Sequence, residues 1–185
     1  MLYLGIDPGQ SGGLALIDYV GNHSAVLLQP MPETERDVWD WITANVGDET
    51  AVAMIEQVHT MPGQGIASSG KFMQGYGFLR GCLTAAGIPF EAVRPQQWIK
   101  GLDIPQRARH TKTKRVQVSR GKNKGEWRNQ KYGGETDREW KTRLRAHAQQ
   151  LFPKAQVTLA TADALLIAEY CRRKNEGLLQ EKKKR

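Results

Sequence analysis

The segment Leu2 to Ile6 is an unbroken apolar run that stops on Asp7-Pro8-Gly9, and after Gly12-Gly13 a second apolar run extends from Leu14 to Ile17. Two short hydrophobic runs joined by so many turn-forming residues fold back on each other as strand, tight turn, strand. Gly21-Asn22 is a further turn signal and Ala25 to Leu28 a third strand, so the chain opens with three antiparallel strands. Ala51 to Ile55 is apolar throughout and ends at Glu56, the pattern of a central strand covered on both faces, and Pro89 to Val93 is another strand. Spacings of three, four and seven among Val38, Trp39, Trp41, Ile42 and Val46 predict a helix over Thr34 to Val46. Phe72, Tyr76, Leu79, Leu83 and Ala86 predict a second from Ser68, stopped by Gly87. Pro95 begins a short helical turn through Trp98. Helix resumes over Asp137 to Leu151, and a last helix after Thr161 carries Asp163, Leu166, Ile167, Tyr170 and Cys171 on one face. Strands interleaved with helices predict an α/β domain over residues 1–175, followed by a basic flexible tail at 176–185.

Charge divides this chain more sharply than hydrophobicity does. Residues 1–99 hold four Lys or Arg against ten Asp or Glu, whereas residues 100–145 hold fifteen against five. Lys and Arg gain free energy by displacing counterions condensed on a nucleic-acid backbone, so an acidic body with a basic segment points to a polyanionic partner. No hydrophobic periodicity survives between Gly101 and Thr136, which reads as a long mobile loop, with Trp127 and Tyr132 placed to stack on bases. No apolar run approaches the roughly eighteen residues of a membrane span. The start MLYLGIDPG has no secretory pattern, and Cys82 and Cys171 alone make neither a disulfide framework nor a zinc ribbon. A reduced, cytoplasmic protein is expected.

Three carboxylates stand where a fold normally puts an apolar residue or leaves the acid in solvent. Asp7 follows the first strand, Glu56 ends the central one, and Asp163 points inward from the last helix. They converge if those two strands are neighbours. Clustered carboxylates repel unless a cation neutralises them, and hard oxygen ligands favour Mg²⁺ or Mn²⁺ over zinc.

The segments GIDPG at 5–9, IEQVHTMPGQG at 55–65 and ADALLIAEY at 162–170 resemble, in order and spacing, the RuvC family of Holliday-junction resolvases, nearest its phage and fungal mitochondrial branches. The resemblance implies an RNase H-like fold: a mixed five-stranded sheet in the order 3-2-1-4-5, flanked by helices. It also implies a homodimer that nicks four-way DNA junctions, with two Mg²⁺ per active site, Mn²⁺ substituting. Asp7 would bridge both ions, Glu56 would serve one and Asp163 the other. The pattern departs at Ala160, where the family carries a second acid one helical turn before Asp163. Either an acid has been replaced there, or this branch binds with fewer protein ligands. The alternatives to a junction resolvase are a branched-DNA-binding protein that does not cut and an RNA-processing nuclease of the same superfamily.

Candidate DNA contacts extend beyond the acids. Gln57, His59 and Gln64 lie in the Pro-Gly loop after Glu56, His59 where resolvases often place an aromatic that works at the junction centre. Ser68, Ser69 and Lys71 lie at a helix start, where free N–H groups suit a phosphate. The basic segment offers Arg107, Arg109, Lys112, Lys114, Arg115, Arg120, Lys122, Lys124, Arg128 and Lys131. Gly70, Gly77 and Gly81 share a helix stripe that suggests close approach of the sheet or of a second subunit, and this helix is the expected dimer face. GIASSGKF at 65–72 nearly spells a nucleotide-binding P-loop, but Phe72 replaces the hydroxyl residue and no strand directly precedes it, so no nucleotide cofactor is expected.

Overall fold

Strand β1 (Leu2–Asp7) pairs antiparallel with β2 (Gly13–Val20), which pairs antiparallel with β3 (His23–Pro30). Helix α1 (Glu35–Val46) starts where the Thr34 side chain accepts a hydrogen bond from the Asp37 N–H, and it leads into β4 (Ala51–Glu56), parallel to β1. Helix α2 (Ile66–Ala85) ends just before Gly87, whose φ of 67° is a left-handed geometry that favours glycine. Strand β5 (Phe90–Val93) then pairs parallel with β4, and α3 (Pro95–Gly101) follows with proline in its first turn. The sheet order is β3-β2-β1-β4-β5. The computed structural model describes residues 1–20, 23–58, 65–119 and 123–179.

The basic segment differs from the expected loop. It carries a two-stranded antiparallel hairpin, β6 (Lys112–Gln117) with β7 (Trp127–Tyr132), separate from the main sheet. Its alternation is polar against polar, so hydrophobic periodicity gave no sign of it. Helix α4 (Asp137–Leu151) follows, opened by reciprocal Thr136 and Glu139 hydrogen bonds, and α5 (Ala162–Asn175) completes the domain.

Side chains alternate along the central strands, giving one core on each face of the sheet. Leu2, Leu4 and Ile6 of β1 pack with α1 and α2 through Val38, Ile42, Leu79 and Leu83. Tyr3 and Met54 pack on the opposite side with Trp98, Leu144 and α5. Helix α5 is buried continuously from Ala164 to Cys171, and its last turn reaches the surface. It lies directly on β1 at Gly5, where an added Cβ would sit 2.1 Å from the Ala164 carbonyl oxygen and 2.3 Å from the Ala168 nitrogen. The glycines of α2 behave differently: at Gly70, Gly77 and Gly81 a Cβ would meet nothing within 4 Å, so approach of the sheet does not explain them. Among the described residues no helix is long and apolar enough to cross a membrane, and both cysteines are free and buried.

At the far end of α5, Glu169 is 2% exposed and pairs with Arg172 and Arg173, while Arg172 also stacks on Tyr19. Removing one member of a buried ion network leaves the others without their counter-charge. Glu169→Ala is therefore expected to lower unfolding free energy by about 3–5 kcal/mol, measured by urea denaturation.

Candidate active site

The alternation that builds the two cores also aims the acids. Asp7 is in step with Tyr3 and Gly5 on β1, and Glu56 is in step with Met54 on β4, so both carboxylates project to the α5 side of the sheet. Because β1 and β4 are parallel with Ile6 opposite Ile55, the two acids occupy the same end of adjacent strands. Asp163 lies in the first turn of α5, the helix that Gly5 admits onto β1. Gly12 leaves room for the first acid, since a Cβ there would lie 2.6 Å from Asp7 Cγ, and the Gly9 N–H donates to Asp7 Oδ1 at 3.3 Å.

All three acids are half-buried, and each carboxyl is pushed above its ordinary range. Burial raises Asp7, opposed by the Gly9 N–H and the charge of Lys141. Burial and then the Asp7 charge raise Glu56 to about 7, and the same two causes raise Asp163 to about 6. Asp7 is thus the electrostatic hub, the strongest charged neighbour of both other acids. Lys141 on α4 opposes all three shifts. Among the described residues no group of three or more His, Cys, Asp or Glu side chains is close enough to hold one ion together. Asp7 acts on both other acids and Asp163 also acts on Glu56, so the three carboxylates repel one another, and hard oxygens that do so suit a divalent cation.

Two residues of this site were not singled out by their sequence context. Trp98 reads as packing, and it is buried, but its Nε1–H donates to Glu56 Oε1 at 3.0 Å. The usable signal was that a buried indole N–H needs an acceptor. Lys141 follows Trp140 on a charged helix face and gives no signal, because its place depends on how α4 packs on α5.

The raised carboxyls make the metal-free protein pH-sensitive. Between pH 4.5 and about 7 the native state holds a proton on Glu56 that the unfolded chain has released. Native protein then binds more protons than unfolded protein, so stability falls as pH rises through this window. Glu56 alone accounts for about 3 kcal/mol once fully ionised. Melting in a chelator across pH 4.5 to 8 should show the decline, Glu56→Gln should flatten it, and Mg²⁺ should restore more stability at pH 8 than at pH 5. A curve that rises over the same range would mean that Glu56 is not held in this environment.

The remaining candidate contacts are dispersed. Gln57 accepts from Arg94 Nε at 3.2 Å just beyond β4. Ser68, Ser69 and Lys71 lie in the first turns of α2, and Ser68 and Lys71 line a cleft of about 760 Å³ whose other wall is the Pro8–Ser11 turn beside Asp7. His59, Gln64, Arg120 and Lys122 lie outside the described residues. Arg109, Lys112, Lys114, Arg115, Lys124 and Arg128 are exposed, and Lys131 pairs opposite Thr113 in the hairpin. Arg107 is engaged structurally: it donates to the Glu135 carbonyl and pairs with Asp137 at 2.7 Å. Ala160 lies in the turn before α5 rather than in the helix.

No protein-family model matches the sequence, and no curated protein matches it. Among solved structures, a T. thermophilus RuvC in complex with Holliday junction substrate aligns with a TM-score of 0.55 at 15% identity, covering 97% of this chain and 99% of that one. A second Thermus thermophilus RuvC structure aligns with the same TM-score and coverage at 16% identity. With the sheet order and flanking helices in agreement, the chain has the RNase H-like fold of RuvC.

Proposed function

We propose that this chain is a divalent-cation-dependent endonuclease that resolves four-way DNA junctions by paired nicks, acting as a homodimer. The observation that carries the reading is the trio Asp7, Glu56 and Asp163, half-buried together with Asp7 as the shared neighbour. Asp7 would be common to two Mg²⁺ ions, Glu56 would serve one and Asp163 the other. Such cations, when bound, supply the Lewis acidity that phosphodiester hydrolysis needs. The protein's own contribution is positional. Trp98 ties down Oε1 of Glu56, and Lys141 supplies a positive charge against the three acids. Two symmetric cuts need two identical sites, which an isologous dimer provides. Helix α2 is the proposed dimer face, since its glycine stripe opens to space and Ile66 and Met73 are exposed. The RuvC solved with a Holliday junction substrate supports junction DNA as the partner.

Ala160 favours a second reading, a branched-DNA-binding protein that does not cut. The two separate when labelled four-way junction, linear duplex and RNA hairpin are incubated in Mg²⁺ with the chain as it stands and with Ala160→Asp. Junction nicking that the added acid accelerates at least about tenfold, by one more charged ligand, is the expected outcome. Equal cleavage of the RNA hairpin would overturn the junction reading in favour of an RNA-processing nuclease. Tight junction binding without nicking by either form would favour the binding protein.

A further inference from the structure

The hairpin β6–β7 is built like an arm: rigid at the root, charged along its length, and outside both cores. At the root, Glu135 is held by Arg143 through paired hydrogen bonds of 2.8 Å, and Arg143 also donates to the Pro105 carbonyl in the segment that leads into β6. The Gly134 N–H donates to His110 Nδ1, and the Glu135 N–H donates to the Ala108 carbonyl. The two stems pass so closely at Gly134 that a Cβ there would lie 2.5 Å from the Arg109 carbonyl carbon. Arg143 stacks on Trp140 of the same helix, α4, whose Lys141 faces the catalytic acids. The direction of the arm is therefore fixed by the element that borders the active site.

Charge on the arm is two-sided. The register pairs Lys112 with Tyr132, Lys114 with Gln130 and Val116 with Arg128, so these residues share one face. Thr113 opposite Lys131, Arg115 opposite Asn129 and Gln117 opposite Trp127 belong to the other face. Each face has a cation over an aromatic ring, Lys114 over Tyr132 at 5.5 Å and Arg115 over Trp127 at 5.8 Å. Neither strand contains an acid, and the nearest, Glu126, stands just before β7. Six residues per strand give a reach of about 20 Å, the length of about six base-pair steps. A ribbon laid flat on one duplex would turn one face's cations to solvent, where they release no counterions. Seated in the groove of one duplex, the ribbon would meet phosphates at its edges rather than on both faces.

We propose that the β6–β7 hairpin is a wedge that enters the cleft between two arms of branched DNA, each face meeting the phosphate backbone of one arm. The proposal rests on the junction reading above. It gives the arm a discriminating role, because only a branched substrate offers backbone to both faces at once.

The test is a salt titration of binding, in a chelator so that no strand is cut, on a four-way junction and on a linear duplex of the same sequence. One variant clears the first face (Lys112→Gln, Lys114→Gln, Arg128→Gln), a second removes Arg115 from the other (Arg115→Gln) while Lys131 stays in place, and a third combines them. On the junction the logarithmic salt slope should fall by about 3 for the first, about 1 for the second and about 4 for the combination, close to one for each phosphate that is no longer neutralised. On the duplex the combination should lose no more than the first variant does. Circular dichroism and melting temperature should match the parent, since these side chains are exposed. Junction losses confined to one face, or equal losses on junction and duplex, would overturn the wedge. Unchanged slopes with the parent still preferring junction would remove the wedge and leave the junction reading standing. A parent that binds junction no better than duplex would remove both.

Discussion

Asp7→Asn is expected to lower junction cleavage by about three orders of magnitude or more, the loss of several kcal/mol of transition-state stabilisation, while junction binding is kept. The expectation follows from where Asp7 sits. It is the strongest charged neighbour of both Glu56 and Asp163, so it is the one ligand that two cations would share. Asparagine keeps the shape and one oxygen but removes the charge that would hold both ions. The same change relieves repulsion in the pocket, so in metal-free buffer an approaching phosphate meets one negative charge fewer and affinity should hold or rise. The measurement is a single-turnover cleavage rate with protein in excess, paired with anisotropy binding in a chelator. It is made in the parent and in the Ala160→Asp background, so that there is activity to lose. A variant cutting within tenfold of its background would place the chemistry elsewhere.

Gly5→Val should have the largest effect on the fold. The α5 backbone lies against Gly5 so closely that any Cβ overlaps the Ala164 carbonyl and the Ala168 N–H. Those are main-chain atoms in the buried stretch of α5 and cannot rotate aside as a side-chain tip would. Lifting α5 would open the core along β1 and carry Asp163 away from Asp7. A loss above about 4 kcal/mol is expected, enough to leave little native protein at 37 °C. Gly75→Ala on α2 is the contrast: a Cβ there meets nothing within 4 Å, and alanine in a helix interior should add about 0.5–1 kcal/mol. Urea midpoints of the two variants should move in opposite directions. Equal small shifts would mean that α5 does not rest on β1 in this way.

Gly5 and Gly12 show what could and could not be inferred from the residues alone. The strands around GIDPGQSGG were legible because apolar runs stop at turn formers, and the helices because their apolar stripes repeat at three and four. The carboxylates were legible through their positions at strand and helix ends. What each glycine admits was not: Gly5 admits a helix more than 150 residues away, and Gly12 admits the side chain of Asp7. The hairpin escaped notice because KTKRVQ and WRNQKY face solvent on both sides, so neither strand alternates apolar with polar. Only Val116, Trp127 and Tyr132 hinted at strand there. Lys141 was invisible for a related reason, since a charged residue on an amphipathic helix acquires a role only through packing that no local pattern records.

The bond from Trp98 to Glu56 also gives the molecule an optical reporter. Of its five tryptophans, Trp98 alone is buried, and its indole ends on a carboxylate whose charge changes with protonation and with any cation that reaches it. Emission from that enclosed ring should therefore register the state of the pocket directly, with no label attached and no DNA present.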